Sequence, residues 1–416
     1  MADRYDPGHF RLSVQGEAMV KQPTFENALA FASDLIAIPG LSGGEGNVAG
    51  RVHQEMEALG LADVRVDDAG NVIGVARGRG DAPPAMLNSH LDVVAEGDHA
   101  EWEVPPFSGE VRDGFLHGRG AMDIKGPLAL QTYAAASMIG EAPGDVIVAH
   151  TVYEERGGLG MKHLLESGEV EPGVVIIGEA THGDICIGHR GRAEVEVALT
   201  GVAGHASAPG RASNALDLLG DVLVAVRDLA AAQETDDLLG AASVVPTMVD
   251  VLPQTRNVIP DRVVVALDWR ILPGDDDESL IRRVREAVQA RIPSVPEGMA
   301  WEVRMATERQ VTYTGIVADR NLFTPGFLMD PSHPVVEAAA RSVGRRERVE
   351  DDATVRPWTF ATDGGWSCGV HGIPTVGFAP GEESFAHTNR ERLDVEEARW
   401  GYARYPVLIA AVQSAL

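Results

Sequence analysis

Through the first 180 residues, short uninterrupted apolar runs alternate with stripes of helical period, and several runs end in polar or acidic residues. The runs are Asn71–Ala76, Ala85–Leu87, Asp145–Val152 and Val174–Ile177. A run too short for a helix and lacking polar alternation reads as a strand buried on both faces. Between the runs, Phe25, Leu29, Ala32, Leu35 and Ile36 recur at helical spacing until Pro39-Gly40 stops them. Val48, Val52, Met56 and Leu59 repeat the pattern up to Gly60, and a long apolar helix is predicted near Leu128–Ile139. Helices alternating with buried strands predict an α/β sheet domain.

After Gly188 the pattern changes. Ala193–Leu199 alternates as a half-buried strand, Ala215–Ala232 reads as an amphipathic helix, and Ser243–Val251, Arg262–Ile271 and a helix at Glu278–Arg291 follow. One-sided strands and helices predict an α+β module inserted in the first domain, ending near the turn-rich Pro293–Met299. From Pro334 to Leu416 the chain returns to helix, strand, Gly-rich loop, strand (Thr375–Ala379) and terminal helix. The length of 416 residues accommodates such a division. The expected boundaries are 1–188, with 1–23 as an N-terminal extension, then the insert at 189–305, then 306–416. No internal repeat or low-complexity tract is visible.

Composition narrows the function classes. Hydrophobic residues at 44% and charged residues at 23% exclude global disorder. A formal net charge of −27 repels nucleic-acid phosphates and anionic lipid headgroups, so neither is an expected partner. Cys186 and Cys368 are too few for a disulfide framework and wrongly spaced for a cysteine zinc site, which points to a reducing compartment. Met1–Gln22 lacks the apolar core of an export signal, and no window offers the ~18–20 apolar residues of a membrane helix. The expectation is a soluble cytoplasmic protein with a small-molecule substrate.

Four clusters could carry chemistry. His90 and Asp92 follow Ala85–Leu87; side chains two apart on a strand share a face, so the imidazole could bind a metal while the carboxylate fixes its tautomer. A surface loop with a satisfied histidine is the alternative. The Gly118–Gly126 loop matches neither phosphate-binding fingerprint, leaving Asp123 as a helix cap or as a carboxylate offered to a cation. Glu154 and Glu155 close a buried run, where the chain can turn both acids toward one site; a nearby cation would let one be ligand and the other base. A solvated acidic turn is the competing reading. Glu179 sits likewise after Val174–Ile177, and His387 lies in a loop, Ser384–Asn389, with no local pattern of its own.

Together His90, Asp123, Glu155, Glu179 and His387 resemble the ligand set of the co-catalytic dinuclear zinc hydrolases that include acetylornithine deacetylase, succinyl-diaminopimelate desuccinylase, glutamate carboxypeptidase and aminoacylase. The likeness runs from about Phe25 onward. It rests on Ile38-Pro39…Ser42-Gly43, Asp68…Gly70-Asn71-Val72, His90-Leu91-Asp92, Gly118-Arg119-Gly120…Asp123…Lys125-Gly126, Glu154-Glu155, Gly178-Glu179, Gly204-His205-Ala206-Ser207…Pro209 and Ala386-His387-Thr388. The resemblance implies a zinc-exopeptidase-like α/β catalytic domain with an inserted α+β lid and dimerisation domain. It implies that His90 and Glu179 bind one divalent cation, Glu155 and His387 the other, and that Asp123 bridges them. Four positive charges, three carboxylates and a bridging hydroxide would then balance. Glu154 would be general base and Asp92 would orient His90. His205 would reach a substrate, often in the neighbouring subunit, to stabilise an oxyanion, making a homodimer functional. Asn257 and Arg270 resemble lid residues that contact substrate, and a guanidinium at 270 suits a carboxylate, although a surface salt bridge would explain it equally.

The implied reaction is hydrolysis of an amide in a small carboxylated substrate such as an N-acyl amino acid or dipeptide. Displacement of an amine from a nitroaromatic acid by the same centre is the alternative. Zinc is the first expectation for the metal, with cobalt and manganese open. Two rival motifs are present in the sequence. Gly365-Trp366-Ser367-Cys368-Gly369 fits the nucleophile elbow with Ser367, but the histidines that follow, His371 and His387, come too closely after it. Gly44–Ala49 fits a dinucleotide fingerprint but follows a predicted helix rather than a strand. A non-catalytic binding module has no need to keep this full residue set.

Overall fold

The structure is a computed structural model and describes residues 20–416. Readings made for residues 1–19, most of the N-terminal extension and of the region tested for an export signal, lie outside them. The chain opens with helices α1 (Phe25–Ile36) and α2 (Gly46–Ala58) and strands β1 (Ala62–Val66), β2 (Val72–Ala76) and β3 (Ala85–His90). Thr24 caps α1 by accepting from the Asn27 N–H, and the stripe Phe25, Ala28, Phe31, Ala32, Leu35, Ile36 is buried. Helix α3 (Lys125–Ser137), strand β4 (Val146–Thr151), helix α4 (Leu159–Glu166) and strands β5 (Val174–Ile177) and β6 (Ile185–Cys186) follow.

A second hydrophobic cluster begins beyond them. It is built on β7 (Gly191–Thr200), α5 (Leu219–Ala231), β9 (Ser243–Leu252), β11 (Arg262–Ile271), α6 (Asp277–Arg291) and β12 (Ala300–Met305), with the short pair β8 (Gly204–His205) and β10 (Val258–Ile259) at its margin. The hairpin β13 (Thr307–Val311) and β14 (Val317–Asn321) leads back to the first cluster, where Tyr313 donates from its hydroxyl to the Gly70 carbonyl at 2.8 Å. Helix α7 (Pro334–Val343), strands β15 (Val355–Arg356) and β16 (Thr375–Gly377) and helix α8 (Val395–Ser414) complete the chain.

The larger sheet has the order β1-β2-β4-β3-β5-β16-β6-β15. Its centre, β4-β3-β5-β16, is parallel. Strands β3, β4 and β5 are buried at every position, as their uninterrupted apolar runs require. Helix α3, buried along nearly its whole length, packs on β3 and β4 between α1 and α8. In an open parallel sheet, ligands bind beyond the carboxyl ends of the strands. Here those ends deliver His90, Glu154 with Glu155, and Glu179.

The smaller sheet is antiparallel, β9-β11-β7-β12, with α5 and α6 packed together beside it around Trp269. This is the inserted α+β lid. The predicted helix from Ala215 starts as a tight turn, Ala215–Leu218, before α5. Strand β12 and the hairpin were not read from the sequence. Among the described residues no helix is long and apolar enough to cross a membrane.

Candidate metal centre

His90 ends β3 and is 2% exposed. Its Nδ1 lies 2.8 Å from the Asp92 carbonyl oxygen, which fixes that nitrogen as the N–H donor. Nε2 is the nitrogen left to face the acids. It lies 3.2 Å from Glu179 Oε1 and 3.3 Å from Asp123 Oδ1, yet forms no directed hydrogen bond. Burial disfavours a charged His90, yet Asp123, Glu179 and Glu154 beside it win and hold it well above the ordinary imidazole range, so Nε2 carries a proton unless a cation takes its place. On the other side of Asp123, its Oδ2 is 3.2 Å from His387 Nε2, which is also 3.2 Å from Glu155 Oε2. Two groups thus share one member: His90, Asp123 and Glu179, and Asp123, Glu155 and His387. Imidazole nitrogens and carboxylates are the donor set that zinc, cobalt or manganese accepts, so the residues fit a pair of divalent cations.

The expected tautomer lock needs correction. The bond to His90 comes from the Asp92 main chain, and the Asp92 carboxylate stands off at 3.5 Å. The strand ends at His90, so the two-residue alternation stops applying to Asp92. Its carboxylate instead accepts from Ser42 Oγ at 2.6 Å and from the Glu154 and Glu155 main-chain N–H groups at 3.1 and 3.3 Å. It holds the turn after β4. Tyr153, at a φ of 58°, swings the chain there so that both acids approach the centre. Asp123 is no helix cap: it precedes Ile124, the residue that opens α3, and its carboxylate is spent on the two histidines.

Electrostatics show how crowded the acids are. Burial raises Glu179 to about 7, with Asp123 adding to it. Burial likewise raises Glu154, with Glu179, Asp363 and Glu155 adding and His90 opposing. Burial also raises Asp123, yet His387 and His90 beside it win and hold it below the usual carboxylate range. The Asp123 and Glu155 carboxylates raise His387 to about 10. Two cations would supply the charge these groups otherwise obtain from protons.

Glu154 Oε2 is 3.8 Å from His90 Nε2. Glu154, Glu155, His387 and Phe360 line a cavity of about 520 Å³ that extends to the inserted sheet, where Arg270, Arg192 and Phe323 also line it. Arg270 and Arg192 are directly opposite across β7 and β11, each bonded through Nε to Asp268, at 2.9 and 3.1 Å. His205 and Asn257 are exposed on the β8–β10 margin. His205 bonds Ser207 Oγ at 2.7 Å, and Asn257 enters only through its carbonyl, which accepts from the Ala206 N–H. Neither lines the cavity.

The sequence assigns no role of their own to Asp363 and Glu391. Asp363 is 2% exposed and accepts from Thr151 Oγ1 at 2.7 Å, with its other oxygen unpartnered. Glu391 is 1% exposed beneath the Asp123 loop. Neither follows an apolar run, the signal that marked the other acids. Ser367 is fully buried in a helical turn, Gly365–Val370, with Oγ 2.8 Å from Thr375 Oγ1. That corrects the expected Gly-rich loop and removes the exposed nucleophile a serine hydrolase needs. At Gly44–Ala49 the fully buried carboxylate of Glu45 makes no capping bond to α2 and instead accepts from the Tyr153 N–H at 3.3 Å, filling the space a phosphate would need.

Residues 86–410 match the model of Peptidase family M20/M25/M40. The chain belongs to this family. It is a metal-dependent hydrolase of carbon–nitrogen bonds, as the resemblance implied. Similar proteins include the uncharacterized protein YgeY of Escherichia coli strain K12, 31% identical over 367 residues, covering 87% of this chain and 88% of the relative. A succinyl-diaminopimelate desuccinylase of Ruegeria pomeroyi is 31% identical over 326 residues, 75% of this chain and 82% of that one. The M20 fold is also that of Bacillus subtilis YXEP, described as a dinuclear metal binding peptidase, with TM-score 0.69 at 16% identity over 94% of this chain and 99% of that one. These matches support a peptidase- or desuccinylase-type hydrolase and do not favour displacement of an aromatic amine.

Proposed function

We propose that the chain hydrolyses an amide in a small carboxylated substrate, such as an N-acyl amino acid or dipeptide, using two divalent cations. One observation carries the reading: Asp123 faces His90 with one oxygen and His387 with the other, and each histidine has its own acid, Glu179 or Glu155. His90 and Glu179 would hold one cation, Glu155 and His387 the second, and Asp123 both. When bound, the cations supply Lewis acidity that acidifies the attacking water and polarises the scissile carbonyl. Zinc is the favoured metal; the same donors accept cobalt or manganese.

Glu154 takes the proton from the attacking water and returns it to the leaving nitrogen, a role that its raised pKa and its place at the cavity wall support. Asp92 positions Glu154 and Glu155 through their N–H groups. Among the described residues Arg270 is bonded only through its Nε, leaving both Nη groups for a substrate carboxylate. His205 and Asn257, exposed and away from the cavity of their own chain, suit a contribution to the centre of a second copy. Strand β9 supports such a homodimer: it is an edge strand with Val245, Met248, Val249 and Leu252 41–53% exposed. Two free cysteines, Cys186 and Cys368, accord with a cytoplasmic enzyme.

The test is Glu154→Gln. It should retain two equivalents of zinc and lose about 10²–10⁴-fold in turnover of N-acyl amino acids. Undiminished turnover would remove Glu154 as the base.

A further inference from the structure

Asp123 can serve two histidines only if its main chain is held fixed, and the residue that holds it lies far along the sequence. Glu391 Oε1 accepts from the Met122 N–H at 3.1 Å and from the Asp123 N–H at 3.0 Å. Its other oxygen pairs with Arg119 of the same loop, and the Gly118 N–H donates to the Glu391 carbonyl at 3.3 Å. Glu391 and Arg119 are 1% and 2% exposed, and the Arg119 guanidinium lies over the Trp102 ring. A buried ion pair is often no more stabilising than apolar residues of the same volume, so stability alone does not account for it. Its geometric effect is specific. It ties the loop carrying Asp123 to the segment four residues beyond His387.

We infer that Glu391 is a positioning residue, holding the Asp123 main chain so that one carboxylate reaches both His90 and His387. The inference rests on the dinuclear reading above. Shortening and neutralising this side chain should separate its two duties. Glu391→Asp keeps the charge for Arg119 but withdraws the acceptor from the two N–H groups. Glu391→Gln keeps an acceptor there and gives up the ion pair.

Metal-free wild type and both variants are titrated with zinc against a competing chelator, and their thermal midpoints are recorded alongside. Glu391→Asp should weaken both zinc sites by about 10- to 100-fold. Glu391→Gln should bind zinc close to wild type while its midpoint falls. Zinc affinity that follows the midpoint in both variants, or a Glu391→Asp chain that binds two zinc ions as tightly as wild type, overturns the assignment of Glu391 alone. A wild-type chain that binds no zinc overturns the dinuclear reading and this inference with it.

Discussion

Asp123 and His387 differ in what their loss should do. Asp123 touches both halves of the centre, whereas His387 meets only Asp123 and Glu155. His387→Ala should therefore lower zinc content from two equivalents to about one, and Asp123→Ala should lower occupancy of both sites. Metal analysis after gel filtration distinguishes the outcomes; two tightly held equivalents in His387→Ala would remove that residue from the ligand set. Proton linkage gives a second prediction. Without metal, His387 is raised to about 10 by Asp123 and Glu155, and Glu179 to about 7 by burial and Asp123. Both folded values lie above the ordinary ones. Their contribution to the metal-free fold is thus complete at low pH and is lost as pH rises through about 7 for Glu179 and about 10 for His387. A cation must displace the same protons, so zinc affinity should climb between pH 6 and 9. The gap in melting temperature between zinc-loaded and metal-free protein should widen over that range; a gap that narrows contradicts the assignment.

At the scale of elements, the apolar runs were legible because parallel strands covered on both faces leave no polar alternation, and the acids at their ends came with them. Strand β12 and the hairpin β13–β14 were not, since residues such as Glu302, Arg304, Glu308 and Arg309 make them polar and only pairing with partners elsewhere defines them. Asp92 was placed correctly near His90, but its hydrogen bonds depend on where β3 stops. Glu391 leaves no local trace; its partners Met122 and Asp123 lie far back in the chain. Two element-scale outcomes follow from the inserted sheet. Met248→Lys, a charge on the apolar edge of β9, should turn a dimer into a monomer in sedimentation runs. Wild type already monomeric at the same concentration would sink the edge-strand interface. Trp269 is fully buried in the insert's own hydrophobic cluster. Trp269→Ala should cost about 3–5 kcal/mol in that module while zinc content stays at wild-type level. Metal lost in parallel would show that the two clusters do not behave as separate units.

Over the whole molecule, the proposed mechanism depends on long-range convergence. His90, Asp123, Glu155, Glu179 and His387 arrive from three strand ends, one helix approach and one loop, and none identifies the centre by itself. The family shows what kind of bond is cleaved, while the proposal of a carboxylated substrate rests on Arg270 at the wall of the shared cavity. The most direct test is a crystal structure of zinc-loaded protein with data collected on both sides of the zinc absorption edge. Two anomalous peaks should appear, one against His90 and Glu179, the other against Glu155 and His387, with Asp123 touching both. A single peak, or zinc bound away from Asp123, would contradict the account.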